Sequence, residues 1–118
     1  MQYLCLIYED EKIAATMSPD EQGAYFGAYM QFTKDIQASG HLRAGDALQP
    51  VATATTVRVR DGKITTTDGP FAETREQLGG YYLIEAKDLD EAIQIAARIP
   101  SAALGSIEIR PIMVFDGM

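Results

Sequence analysis

The stretch QYLCLIY at residues 2–8 is apolar or aromatic at every position after Gln2 and carries no charge. A strand with one face in water alternates apolar with polar residues, whereas this one is apolar at both parities and asks for cover on both faces. Glu9, Asp10 and Glu11 close it with three successive acids. The rest of the chain has to supply that cover.

Downstream, Ser18-Pro19-Asp20-Glu21 predicts a helix start. The Ser18 hydroxyl can accept from the third helical N–H while Glu21 reaches back, and Pro19 suits a first position whose N–H would lack a partner anyway. Tyr25, Tyr29, Phe32 and Ile36 follow at helical spacing as one apolar stripe, which Phe26 and Met30 widen, and Gly40 ends the helix. Residues 42–49 read as an extended segment stopped by Pro50. Residues 55–60 and 63–67 flank Asp61-Gly62, a strong hairpin signal. Asp68-Gly69-Pro70 breaks the second hairpin strand, residues 71–77 read as a helical turn, and residues 81–85 as a strand. Asp88 and Glu91 cap a second helix whose face is Leu89, Ala92, Ile93, Ala96 and Ile99, with Pro100 stopping it. SIEIR at residues 106–110 and an apolar tail at 112–115 complete the chain.

This order predicts a single α+β domain over residues 1–118, a ferredoxin-like βαββαβ arrangement with an inserted hairpin. Two helices cover one face of such a sheet. The first strand wants cover on both, so a second copy packing face to face, in a homodimer, is expected.

Composition narrows the function classes. The chain has 47% hydrophobic and 23% charged residues, as globular domains do. A net charge of -7 repels nucleic acid and anionic membrane surfaces, and no Lys/Arg cluster offsets it. With no signal-like leader and no apolar stretch of membrane-spanning length, a cytoplasmic protein is expected. Cys5, the only cysteine, excludes an internal disulfide and a zinc–thiolate cluster, and its apolar surroundings suit a buried side chain. One histidine and scattered carboxylates form no metal-ligand spacing, and no glycine-rich nucleotide motif occurs, so no cofactor is expected.

The run DGPFAETREQLGGYY at residues 68–82 resembles the hallmark of the DGPF branch of the YCII-related proteins. Residues 3–8 (YLCLIY), 47–50 (ALQP), Val57-Arg58 and 108–111 (EIRP) are similar to the same branch. The resemblance runs nearly end to end and implies the dimeric α/β-barrel form of the ferredoxin-like fold. It implies a histidine on the first helix and an aspartate just before the glycine that ends it, a pair suited to elimination chemistry. Aligned on Gly40, those positions hold Tyr29 and Ser39, so that chemistry is not expected here. The branch also implies association with extracytoplasmic-function sigma factors.

Several residues could carry chemistry. His41 with Asp46 would make a base oriented by a carboxylate, though His41 also suits a helix C-terminus. Asp68 sits on a rigid turn that could present a carboxylate to a pocket or bond the turn's own N–H groups. Arg75 could clamp an anion or pair with Glu73 and Glu76 at the surface. Arg58, Arg60 and Arg110 could face a cleft, water or a second chain. Tyr25, Tyr29, Tyr81 and Tyr82 could donate phenols or fill the core. The expected function is small-molecule binding in a polar pocket between the first helix, the DGPF turn and the sheet. The alternatives are an accessory protein acting with a sigma factor, and a lyase or isomerase using His41 or Asp68.

Overall fold

The computed structural model describes residues 1–117. The elements in order are β1 (Gln2–Glu9), α1 (Glu11–Ala15), α2 (Pro19–Ala38), β2 (Leu42–Ala47), β3 (Thr55–Arg60), β4 (Lys63–Asp68), β5 (Gln77–Glu85), α3 (Leu89–Ala96) and β6 (Ser106–Pro111). Short 3-10 turns lie at Val51–Thr53 and Pro100–Ala103. The main sheet has the order β2-β5-β1-β6, and each neighbouring pair is antiparallel. This is the ferredoxin-like α+β arrangement, with β3 and β4 inserted as a separate two-stranded sheet.

Local chemistry explains the boundaries. Ser18 and Glu21 form a reciprocal capping box at the start of α2, with Pro19 in its first turn. Gly40, at φ +81°, lets the chain turn back so that the His41 N–H donates to the Ile36 carbonyl at 2.9 Å. The Asp88 carboxylate accepts from the Glu91 N–H at 2.9 Å and caps α3. Asp61 and Gly62 both take positive φ, which a two-residue hairpin turn of this kind requires.

The sheet's helix-facing side holds the core. Tyr3, Cys5 and Ile7 of β1 and Tyr82 and Ile84 of β5 pack against Phe32 and Ile36 of α2 and against Ala92, Ile95, Ala96 and Ile99. Burial pushes the Cys5 thiol up to about 11, as expected for an inert buried side chain.

The other face of the sheet is left partly open in the single chain. Leu4 and Leu6 stand opposite Leu83 and Tyr81, and these side chains are only half-buried, because both long helices lie on the far side. The hairpin is more exposed still: Val57, Val59 and Ile64 share one of its faces and are 60%, 58% and 75% accessible. Projecting parts also enlarge the molecule. Its radius of gyration is 16.4 Å, against about 13.5 Å for a compact chain of this length.

Some expectations need correcting. Residues 71–77 form no helical turn: the Thr74 hydroxyl donates to the Glu76 carbonyl and the Gln77 side chain to the Thr74 carbonyl, satisfying the backbone locally, and β5 starts at Gln77. The buried face of α3 runs through Ala92, Ile95 and Ala96 and leaves Leu89 and Ile93 exposed, since the small alanines allow close approach to the sheet. Phe26 and Met30 do not join the core. The apolar tail after Ile112 adds no strand, and Met113, Val114 and Phe115 are exposed. Helix α1 has no counterpart in the sequence reading; its Asp10 cap accepts from the Lys12 N–H.

Candidate functional site

A cavity of about 540 Å³ opens beneath α2, bounded by α1, the ends of β1 and β5, and the edge strand β2. That volume suits a small organic ligand. Its walls are mainly apolar, with Ile7, Met17, Phe26 and Met30 among them. A second cavity of about 460 Å³ adjoins it and shares Glu9, Ala14 and Gly79. The DGPF turn lines neither one, so the expected polar pocket against that turn is corrected to an apolar-walled cavity against β2.

The polar part of the wall is built by strand and helix periodicity. Tyr3, Cys5 and Ile7 occupy alternate positions of β1 on the helix side, and Glu9 continues the same parity. A carboxylate therefore stands where a fourth core residue would be. Tyr25 and Tyr29 lie one helical turn apart on α2, ring centroids 5.4 Å apart in an edge-on arrangement. The Tyr25 hydroxyl donates to Glu9 Oε1 and lies 2.6 Å from Ser101 Oγ, which also bonds the Tyr29 hydroxyl. Ser101 is 1% exposed and is held by the 3-10 turn that follows α3.

Burial first, and the Glu9 hydrogen bond second, push the Tyr25 phenol well above its ordinary range. Burial raises Tyr29 in the same direction. Both phenols stay protonated donors across the neutral range.

A second polar group sits deeper under α2. The Thr33 hydroxyl donates to the Tyr29 carbonyl at 2.9 Å and lies 2.6 Å from the Tyr82 hydroxyl. Gly80 brings β5 unusually close to β2 at this edge. A Cβ there would lie 2.8 Å from the Asp46 carbonyl oxygen, so only glycine fits.

Of the residues singled out from sequence, Tyr25, Tyr29, Asp46, Tyr81 and Tyr82 line the cavity. The Tyr81 hydroxyl donates to Asp46 Oδ2 at 2.6 Å, and that bond raises the Tyr81 phenol. These two face each other across β2 and β5, in register with Leu6 on the sheet's helix-free side.

His41 and Asp46 are not brought together. His41 Nδ1 lies 2.6 Å from Ser39 Oγ and Nε2 lies 3.2 Å from Glu91 Oε1, so the ring is spent at the junction of α2 and α3. Five residues of extended chain carry Asp46 on the order of 16 Å further along. Asp68 is exposed at the end of β4. The turn there is held by Gly69, whose N–H donates to the Ala54 carbonyl at 2.7 Å and whose carbonyl accepts from the Thr56 hydroxyl at 2.8 Å. Arg58 and Arg75 are exposed and away from the cavity wall. Arg110 pairs within its own chain, 3.7 Å from Glu108. Among the described residues no group of three or more His, Cys, Asp or Glu side chains converges on a metal position.

Sequence reading missed Glu9 and Ser101. Glu9 had a signal, the alternation of β1 running past Ile7 onto an acid. Ser101 had none, because its place depends on how α3 and its trailing turn pack beneath α2.

Comparison with known proteins supplies the wider context. An uncharacterized protein of Rhizobium meliloti is 35% identical over 117 residues, spanning 98% of this chain and 94% of its own length. The YCII-related domain family matches residues 1–116. With the ferredoxin-like sheet already established, these matches place the chain in the YCII-related family.

Proposed function

We propose that this chain, a YCII-related protein of the DGPF-motif branch, works as a homodimer in which each copy binds a small molecule in the cavity beneath α2. The observation that carries the reading is the Glu9, Tyr25, Ser101 and Tyr29 cluster set into a mainly apolar wall. Apolar walls with few placed polar groups are the common composition of ligand sites, the walls giving affinity and the polar groups orientation. Acid–base work at this site rests on Glu9, the carboxylate of that cluster, rather than on His41 or Asp68, whose surroundings lie elsewhere.

The dimer reading is supported by the half-buried Leu4, Leu6 and Leu83 on the helix-free sheet face and by the exposed apolar side of the β3–β4 hairpin. An accessory protein that acts with a sigma factor would need no ligand, so ligand binding separates the two readings.

The test is a fragment screen of mixed charge by ligand-observed NMR, repeated on Ala14→Trp, which fills the cavity from its exposed α1 wall. Binding to the wild type that the variant loses, with an unchanged circular dichroism spectrum, is the expected result. Absence of binding by any fragment, or binding that Ala14→Trp leaves intact, overturns the reading.

A further inference from the structure

The hydroxyl hydrogens on the cavity wall can be assigned one by one. A carboxylate only accepts, so Tyr25 spends its single hydrogen on Glu9. The 2.6 Å contact between Tyr25 and Ser101 then has Ser101 as donor. Ser101 has no second hydrogen, so its bond to Tyr29 has Tyr29 as donor. The chain runs one way, from Tyr29 through Ser101 and Tyr25 to Glu9.

The same count applies to Thr33. It donates to the Tyr29 carbonyl, and the Tyr82 hydroxyl therefore donates to it. Each of these hydroxyl hydrogens is committed inside the protein, and what these groups retain for a ligand is lone pairs.

Charge points the same way. Glu9 is the charged side chain on the helix side of the cavity wall, the Asp46 carboxylate being turned to Tyr81 on the other face, and among the described residues no Lys, Arg or His side chain lines the cavity. An anionic ligand would lose its hydration there and meet a carboxylate, a cost that no cation offsets. A ligand with N–H donors and positive charge meets the opposite: a carboxylate, hydroxyl lone pairs and the rings of Tyr25, Phe26 and Tyr29, whose faces attract cations. The net charge of -7 adds long-range attraction.

Resting on the small-molecule reading above, we infer that the cavity selects an organic cation, an amine whose ammonium sits at Glu9 and whose apolar body lies against Met17, Phe26 and Met30. The site thus discriminates by charge sign rather than by a shape peculiar to one compound, and Glu9 sets that sign.

Three probes of matched size test this: tryptamine, indole-3-ethanol and indole-3-propionate, each titrated into the full chain by calorimetry at low salt. Tryptamine should bind most tightly and indole-3-propionate at least tenfold more weakly. Glu9→Gln keeps an oxygen to accept from Tyr25 while removing the charge, and should weaken tryptamine at least tenfold with little effect on the alcohol. Met30→Lys, a change at an exposed wall position, should weaken tryptamine and strengthen the propionate even if Glu9→Gln fails to fold. Equal or tighter binding of the propionate by the wild type overturns the charge assignment and leaves the small-molecule reading standing. If none of the three probes binds the wild type, the inference falls whatever the fragment screen finds.

Discussion

The Tyr25 hydroxyl donates to the Glu9 carboxylate across the seam between α2 and β1, joining residues sixteen apart in the chain. The bond ties the first half of a long helix to the last residue of the central strand. It also turns an acid on a buried parity into part of a hydrogen-bonded row that ends at Tyr29.

Ser101 links that row and is nearly inaccessible to water. Ser101→Ala removes the donor to Tyr25 and the acceptor of Tyr29, leaving a buried phenol short of a partner. We expect a loss of about 1–3 kcal/mol in urea unfolding. Tyr29→Phe, which removes a hydroxyl without stranding a hydrogen, should cost about 0.5–1.5 kcal/mol. An unchanged midpoint for Ser101→Ala would show that the row carries no stability.

Gly79 and Gly80 are neighbours with opposite constraints. A Cβ on Gly79 meets nothing within 4 Å, whereas one on Gly80 lies 2.8 Å from backbone of β2. Gly80→Ala should destabilise by about 1–3 kcal/mol through overpacking that backbone has to absorb. Gly79→Ala should stay within about 1 kcal/mol of the wild type. Equal effects in paired thermal melts would refute the close approach.

The motif turn is held by Gly69, at φ +110°, and not by the carboxylate before it. Gly69→Ala forces a side chain into a left-handed backbone region and should cost more than about 1 kcal/mol. Asp68→Ala removes an exposed group and should change stability by no more than about 0.5 kcal/mol. The reverse order in chemical denaturation would restore Asp68 as the structural element of the turn.

Alkaline stability follows from the raised groups. Cys5 goes from an ordinary 9.0 to about 11, and Tyr25 and Tyr29 move up from an ordinary 10.0. Above the ordinary values the unfolded chain releases protons that the folded chain retains, so stability falls as pH rises. The loss should begin near pH 9 with Cys5 and steepen past pH 10 with the tyrosines. Urea midpoints measured from about pH 8 to pH 11 should flatten early in Cys5→Ala and late in Tyr25→Phe. Midpoints that rise with pH would contradict the burial of these groups.

Leu6 stands on the helix-free face opposite Tyr81. If a second copy covers that face, light scattering at micromolar concentration should report twice the chain mass. Leu6→Lys, which places a charge in the contact, should yield monomers with an unchanged circular dichroism spectrum. A wild-type monomer at that concentration would remove the dimer from the proposal.

The sequence by itself determined the elements whose causes are local. Ser18, Pro19 and Glu21 start α2 because their bonds close within one turn, and Asp61-Gly62 makes the hairpin because two adjacent positive φ angles suffice. The order of strands and helices then leaves the ferredoxin-like sheet as a natural packing, with the buried parity of β1 running through Tyr3, Cys5 and Ile7. Even Glu9 was written into that parity. What only the tertiary structure decided is which side chains meet. Residues 71–77 carry helix-compatible residues, yet the Thr74 and Gln77 side chains take the local carbonyls and the segment stays irregular. His41 and Asp46 are close in sequence, but an extended strand separates them and each finds a partner on another element, Glu91 and Tyr81. Ser101 lies 76 residues from Tyr25, and no periodicity links them. Caps and turns are satisfied within a few residues, whereas a cavity wall is assembled from groups whose separation along the chain carries no information about their separation in space.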